Sequence, residues 1–145
     1  MENNVLNILE KVAKEGIEMI VADQELIPTL IISTSTGVEV IGIVTENHTL
    51  ESIRYLLTQR QVKAYALVLE GYATKSIEAA NKVEGKIRNL PLDDRFDVAS
   101  ISLVENGGTT RLLTSVIDSD KNGIRSLRKW ETSTSVSGQY IIESW

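Results

Sequence analysis

Six consecutive apolar residues, Ala64-Tyr65-Ala66-Leu67-Val68-Leu69, lie near the middle of this 145-residue chain. A strand with one solvated face alternates apolar and polar side chains. A strand covered on both faces gives an unbroken apolar run instead. The segment therefore predicts a central strand, and the rest of the chain has to supply its neighbours and its covering layers.

The neighbours are signalled by turn chemistry. Pro28–Ser33 and Val38–Val44 are β-branched runs on either side of Ser35-Thr36-Gly37. They predict a hairpin in which Gly37 supplies a positive φ angle at no steric cost. Val98–Glu105 and Thr109–Ile117 flank Asn106-Gly107-Gly108, the strongest hairpin signal in the sequence. A polar turn is expected over Asp118–Gly123. Ile124–Trp130 fits either strand or helix, and Thr132–Glu143 is expected as a last strand rich in Ser, Thr and Val.

The covering layers come from helices. Val5, Ile8, Leu9, Val12, Ala13, Ile17 and Ile20 recur every three or four residues, with Glu10, Lys11, Lys14, Glu15 and Glu18 between them. That spacing puts one apolar stripe on a helix, and Asn3 or Asn4 can cap it. Leu50, Ile53, Leu56 and Leu57 share a face of a second helix expected from about Asn47. Residues 74–92 carry a helical stripe (Ile77, Ala80, Val83, Ile87, Leu90) that Gly85 weakens and Pro91 ends. The expected fold class is α/β of the α+β type, in the order α-β-β-α-β-(α)-β-β-β. It is a single, mostly antiparallel mixed sheet with helices packed on it. The helix between Val44 and Ala64 would create one parallel pair if the strands it joins are neighbours. No repeat or linker divides residues 1–145, so one globular domain is expected.

Composition narrows the chemistry. With no Cys, disulfides, zinc–thiolate sites and cysteine nucleophiles are excluded, and with one His, at position 48, any triad would depend on that residue alone. At the first turn of the second helix, His48 is expected as a surface or capping residue. No Gly-x-Gly-x-x-Gly or Gly-Lys-Ser/Thr occurs, so dinucleotide and P-loop phosphate binding have no support, and no cofactor is expected. The formal charge of −5 is not that of a general phosphate-backbone binder. There is no basic n-region and no apolar run approaching the ~20 residues of a membrane span. A cytoplasmic protein without membrane contact is expected.

Three constellations remain. Asp118-Ser119-Asp120-Lys121-Asn122-Gly123 matches the first half of a calcium loop, but position twelve is Lys129 where calcium needs a bidentate carboxylate. A polar turn is the expectation there. Glu70, Asp93, Asp94 and Asp97 gather around the central strand and the segment after it. Converging carboxylates could hold Mg²⁺ for phosphoryl or nucleic-acid hydrolysis. Acids at strand ends and in a turn neutralised by Arg95 would have no such role. Lys121, Arg125, Arg128 and Lys129 beside Trp130 could bind phosphate with a stacking aromatic, or form a solvated edge.

One likeness rests on Val68-Leu69-Glu70-Gly71-Tyr72 and Pro91-Leu92-Asp93-Asp94-Arg95-Phe96-Asp97-Val98 leading into a hairpin. Residues 64–118 resemble a broad group of small bacterial and phage proteins of unknown function. In that group a Ser-Glu-Ala-Trp-like strand end precedes a Pro-Ser-x-Asp-Pro-x-Arg-like segment and two strands. This chain has Leu69 for Ser, Gly71 for Ala, Tyr72 for Trp and Asp94 at the second Pro. The resemblance implies no reaction, cofactor or partner, but it favours Glu70 and Arg95 as a structural pair.

The leading expectation is a non-enzymatic binding or protein-interaction module that self-associates as a homo-oligomer. Trp145, following Tyr140-Ile141-Ile142, is one hint of an apolar docking surface. A hydrolase using Glu70, Asp93, Asp94 and Asp97 is the alternative, and nucleic-acid binding through residues 121–130 is the third reading. Candidate binding residues are Glu70, Tyr72, Asp93, Asp94, Arg95, Arg125, Arg128, Lys129 and Trp130, with no catalytic or metal-ligating set among them.

Overall fold

The computed structural model describes residues 4–43, 50–73, 96–133, 142 and 144–145. In chain order the elements are α1 (Asn4–Ile20), β1 (Thr29–Thr34), β2 (Gly37–Ile43), α2 (Leu50–Gln59) and β3 (Ala64–Ala73). β4 (Phe96–Glu105), β5 (Thr110–Ser119), β6 (Arg125–Leu127) and β7 (Glu131–Ser133) follow. The strands form one sheet in the order β2-β1-β3-β4-β5-β6, with β7 also pairing β5. This is the expected α+β sheet with helices packed on it. Every pairing is antiparallel. The conditional parallel pair does not arise, because β1 stands between β2 and β3.

The apolar run at 64–69 occupies the third position of this order, with β1 on one side and β4 on the other. Its side chains divide by strand alternation. Ala64, Ala66 and Val68 face α1, whose Leu6, Leu9, Ala13 and Ile17 are buried against them together with Ile31, Ile101, Leu103 and Leu113. Tyr65 and Leu67 face the other way, toward Ile53 and Leu57 of α2, and Leu30, Ile32 and Val104 complete that second core. Small residues on the α1 face let the helix approach the sheet closely, and the bulk sits on the α2 face.

Both expected hairpins form. Gly37 has φ +133° and Gly107 φ +68°, values that L side chains rarely adopt. One feature the sequence reading did not anticipate lies in β2. The register passes from Leu30↔Gly42 to Ile31↔Val40, so Ile41 is the extra residue of a β-bulge, and Gly42 takes φ +121°. The ambiguous stretch 124–130 contains the three-residue strand β6. The expected last strand begins at Glu131, one residue early, and is described to Ser133. The helical stripe at 74–92, Asn47 and His48 lie outside the described residues.

Candidate functional site

Glu70 follows the apolar run on β3, and its position on the α1 face points its carboxylate at the loop between α1 and β1. Its side chain is only 9% exposed, and Arg125 at the start of β6 is 12% exposed. Glu70 Oε1 accepts from Arg125 Nη2 and from the backbone N–H of Leu26 at 3.1 Å. The Arg125 backbone N–H in turn donates to the Ala22 carbonyl at 3.0 Å. Strand β3, strand β6 and the α1–β1 loop are thus tied through one carboxylate and one arginine. A buried charge persists only when it is paired and hydrogen-bonded, and this arrangement meets that condition for Glu70. Arg125 Nε is a buried nitrogen with no hydrogen-bond partner among the described residues.

The sequence reading favoured Arg95 as the partner of Glu70; among the described residues Arg125 is paired with it. Arg95, Asp93 and Asp94 lie outside the described residues, as does the side chain of Tyr72. The backbone register sets Tyr72 opposite Asp97, and Asp97 opposite Ile117. Among the described residues no group of three or more His, Cys, Asp or Glu side chains is arranged to hold a metal ion. The carboxylate of Glu70 is engaged by a guanidinium instead.

The basic segment is also occupied internally. Arg128 donates from Nε and Nη2 to the two carboxylate oxygens of Asp118, both at 2.8 Å. This bidentate pairing lowers the pKa of Asp118, through the hydrogen bond first and the charge of Arg128 after it. Asp120 accepts from the backbone N–H groups of Asn122 (2.8 Å) and Ile124 (2.9 Å), closing the turn expected there. Trp130 is half-buried against the α1-side core, with Lys14 Nζ 5.6 Å from its ring centroid. Lys121 and Lys129 are exposed. Two of the four bases therefore neutralise acids of the chain itself, and the tryptophan packs beneath α1.

Trp145 docks within the chain as well, so it offers no free apolar surface of the kind its position in the sequence hinted at. Its indole Nε1 donates to the Val62 carbonyl at 2.8 Å, and its ring lies 5.5 Å from that of Tyr65. Asn106 holds the Trp145 backbone from both sides, at 3.0 and 3.2 Å. The Tyr65 hydroxyl accepts from the Ile142 N–H at 2.9 Å, and burial raises its pKa while that bond opposes the shift.

The apolar surface that stays open is elsewhere, and the sequence reading missed it. α1 lies over β1, β3 and β4. The flank over β1 and β2 is left as a groove of about 350 Å³, walled by Val12, Gly16, Met19 and Ile20 of α1 and by Leu26 and Ile27 of the following loop. Ile31, Val40 and Val68 line the sheet side of the groove. Met19 is 82% exposed and Val40 58%. Ile27 and Val38 are also exposed. Among the described residues nothing lies within 4 Å of where a Cβ on Gly16 would stand, so their packing does not require this helical glycine. The Glu70–Leu26 bond fixes the loop that forms one wall.

The fold and this surface define an α+β protein with a two-faced antiparallel sheet and an open apolar flank beside α1. Comparison with protein-family models, with curated proteins and with solved structures found no match in any of the three. Among the described residues no helix is long and apolar enough to cross a membrane.

Proposed function

We propose that this protein is a non-enzymatic interaction module that self-associates. The reading is carried by the α1–β2 flank, where Met19, Ile27 and Val40 border one groove rather than standing apart on the surface. Single exposed apolar side chains are ordinary, whereas a contiguous apolar patch beside a groove marks an interaction surface. The internal pairing of Glu70, Arg125, Arg128 and Asp118 supports the same reading, since those charges already have partners within the chain.

Light scattering coupled to size exclusion tests the proposal. The expected mass is a multiple of 16.1 kDa. A mass of one chain that persists at millimolar concentration would contradict it.

A further inference from the structure

We propose that Asn106 is a self-modification site: ring closure onto the Gly107 nitrogen deamidates it, and loss of its amide loosens the hold on Trp145. The site lies on the α2 side of the sheet, where Trp145 packs, and is separate from the flank that carries the self-association reading.

Asparagine is followed by glycine twice in the chain, at Asn106-Gly107 and at Asn122-Gly123. In such a dipeptide the glycine nitrogen can reach the carboxamide carbon with no side chain in its way, and the attack has the advantage of an intramolecular reaction. The two sites differ in which reacting group is held. At Asn122-Gly123 it is the nucleophile: the Gly123 N–H donates to the Asp120 carbonyl at 3.0 Å, within the turn that Asp120 closes. At Asn106-Gly107 that nitrogen is free. The Gly108 N–H donates to the Glu105 carbonyl and the Asn106 N–H to the Lys63 carbonyl, both at 2.9 Å, while the Gly107 N–H has no acceptor among the described residues. Gly107 is exposed, and among the described residues nothing lies within 4 Å of where its Cβ would stand. The carboxamide is the held group here. Asn106 Nδ2 donates to the Trp145 carbonyl at 3.2 Å, and Oδ1 accepts from the Trp145 N–H at 3.0 Å.

This clasp governs the reaction. Once it opens, the Gly107 nitrogen gives its proton to solvent hydroxide and bonds to Asn106 Cγ. The Cγ–Nδ2 bond breaks, ammonia leaves, and a cyclic imide joins the two residues. Water then opens the imide at one of its two carbonyls, leaving aspartate or isoaspartate at 106, so that one water is consumed and one ammonia released. A carboxylate accepts hydrogen bonds and donates none, so the bond to the Trp145 carbonyl cannot re-form and two oxygens face each other in its place. Isoaspartate also lengthens the main chain within the turn. Trp145 is the ring beside Tyr65 and the donor to the Val62 carbonyl. Its release uncovers Tyr65 and Val62, both buried while it is docked.

The test uses the full chain, incubated at mildly alkaline pH and digested at intervals, with tandem mass spectrometry that separates asparagine, aspartate and isoaspartate at 106 and at 122. Conversion at 106 is expected in the parent. Trp145→Ala should speed it roughly tenfold, the combined weight of two hydrogen bonds that no longer have to open. Conversion at 122 should keep its parent rate, which separates loss of the clasp from a general loosening of the fold. In Asn106→Asp the Trp145 amide should exchange its hydrogen faster than in the parent. A position 106 that stays asparagine while 122 converts would overturn the proposal. So would equal rates at 106 in the parent and in Trp145→Ala, a rise at both sites alike, or a Trp145 amide as well protected in Asn106→Asp as in the parent.

Discussion

At one side of the sheet, the outer edge of β5 is shared by β6 and β7, three residues each, and the segment carries Arg125, Arg128 and Glu131. At the other side, β2 runs seven residues with valines at 38 and 40 and a single, already paired charge. The first edge is closed by short strands and by ion pairs that stitch it to the interior. The second is left apolar beside a groove, with regular pairing over residues 37–40 before the bulge at Ile41. Sequence physics explains the contrast. Short, charged strands protect an edge from further pairing, and a β-branched strand without Pro or Lys invites it. Substitutions at the closed edge should therefore change stability, whereas substitutions at the open edge should change association.

The largest expected effect is at the closed edge. Glu70→Ala or Arg125→Ala leaves one buried charge without its partner, which costs about 3–5 kcal/mol. Urea denaturation should show that loss for either single variant. The double variant Glu70→Leu with Arg125→Met should recover most of it, because no buried charge then remains. A loss below about 1 kcal/mol for Glu70→Ala would mean that the pair acts as an exposed one and does not hold this edge.

Tyr65→Phe, at the centre of the sheet, separates the edges from the core. It leaves the Ile142 N–H without its acceptor and should cost about 1–3 kcal/mol. Its pH signature is also defined. Burial raises the pKa of Tyr65 above the ordinary value of 10.0, so the stability it contributes is intact below pH 10 and is lost as pH rises through the folded-state value. Thermal melts across pH 9–11 should show the parent losing stability with rising pH, and the Phe variant should lose less.

Gly16→Ala sharpens the contrast from the open side. The added methyl meets nothing within 4 Å, and replacing a helical glycine should stabilise the monomer by about 0.5–1 kcal/mol. A loss of stability would mean that the groove wall is already filled.

The smallest effect lies at Glu10, which Lys14 and Arg111 hold. Burial raises its pKa, but the hydrogen bonds and charges of those two bases outweigh it and leave the value below the ordinary 4.5. Its contribution is therefore present above about pH 4.5 and is lost as pH falls through the lowered folded-state value. The fall in stability on acidification should be shallower in Glu10→Gln than in the parent.

Much of this fold is legible in the chain because its signals are local. The unbroken run at 64–69, the turn glycines at 37 and 107, and the three-to-four spacing of α1 each follow from nearby residues. Gly42 inside a β-branched run is the local signal of the bulge at Ile41. β3 continues to Ala73, past Glu70 and Gly71, because β4 pairs with it along its whole length. The site is less legible, since its contacts are distant in sequence. Glu70 meets Arg125 fifty-five residues away, and Asn106 meets Trp145 thirty-nine away. No local spacing encodes either contact. The groove has no motif at all. It exists because α1 covers β1, β3 and β4 and leaves β2 to one side.

One measurement bears on the contrast between the edges more than any other: sedimentation equilibrium of the parent and of Val40→Lys, each paired with a urea melt. A dimer is expected for the parent and a weakened or absent one for the variant, with unfolding free energies of the monomers within about 0.5 kcal/mol of each other. A variant that dimerises as well as the parent, or one that loses its fold along with its partner, would contradict it.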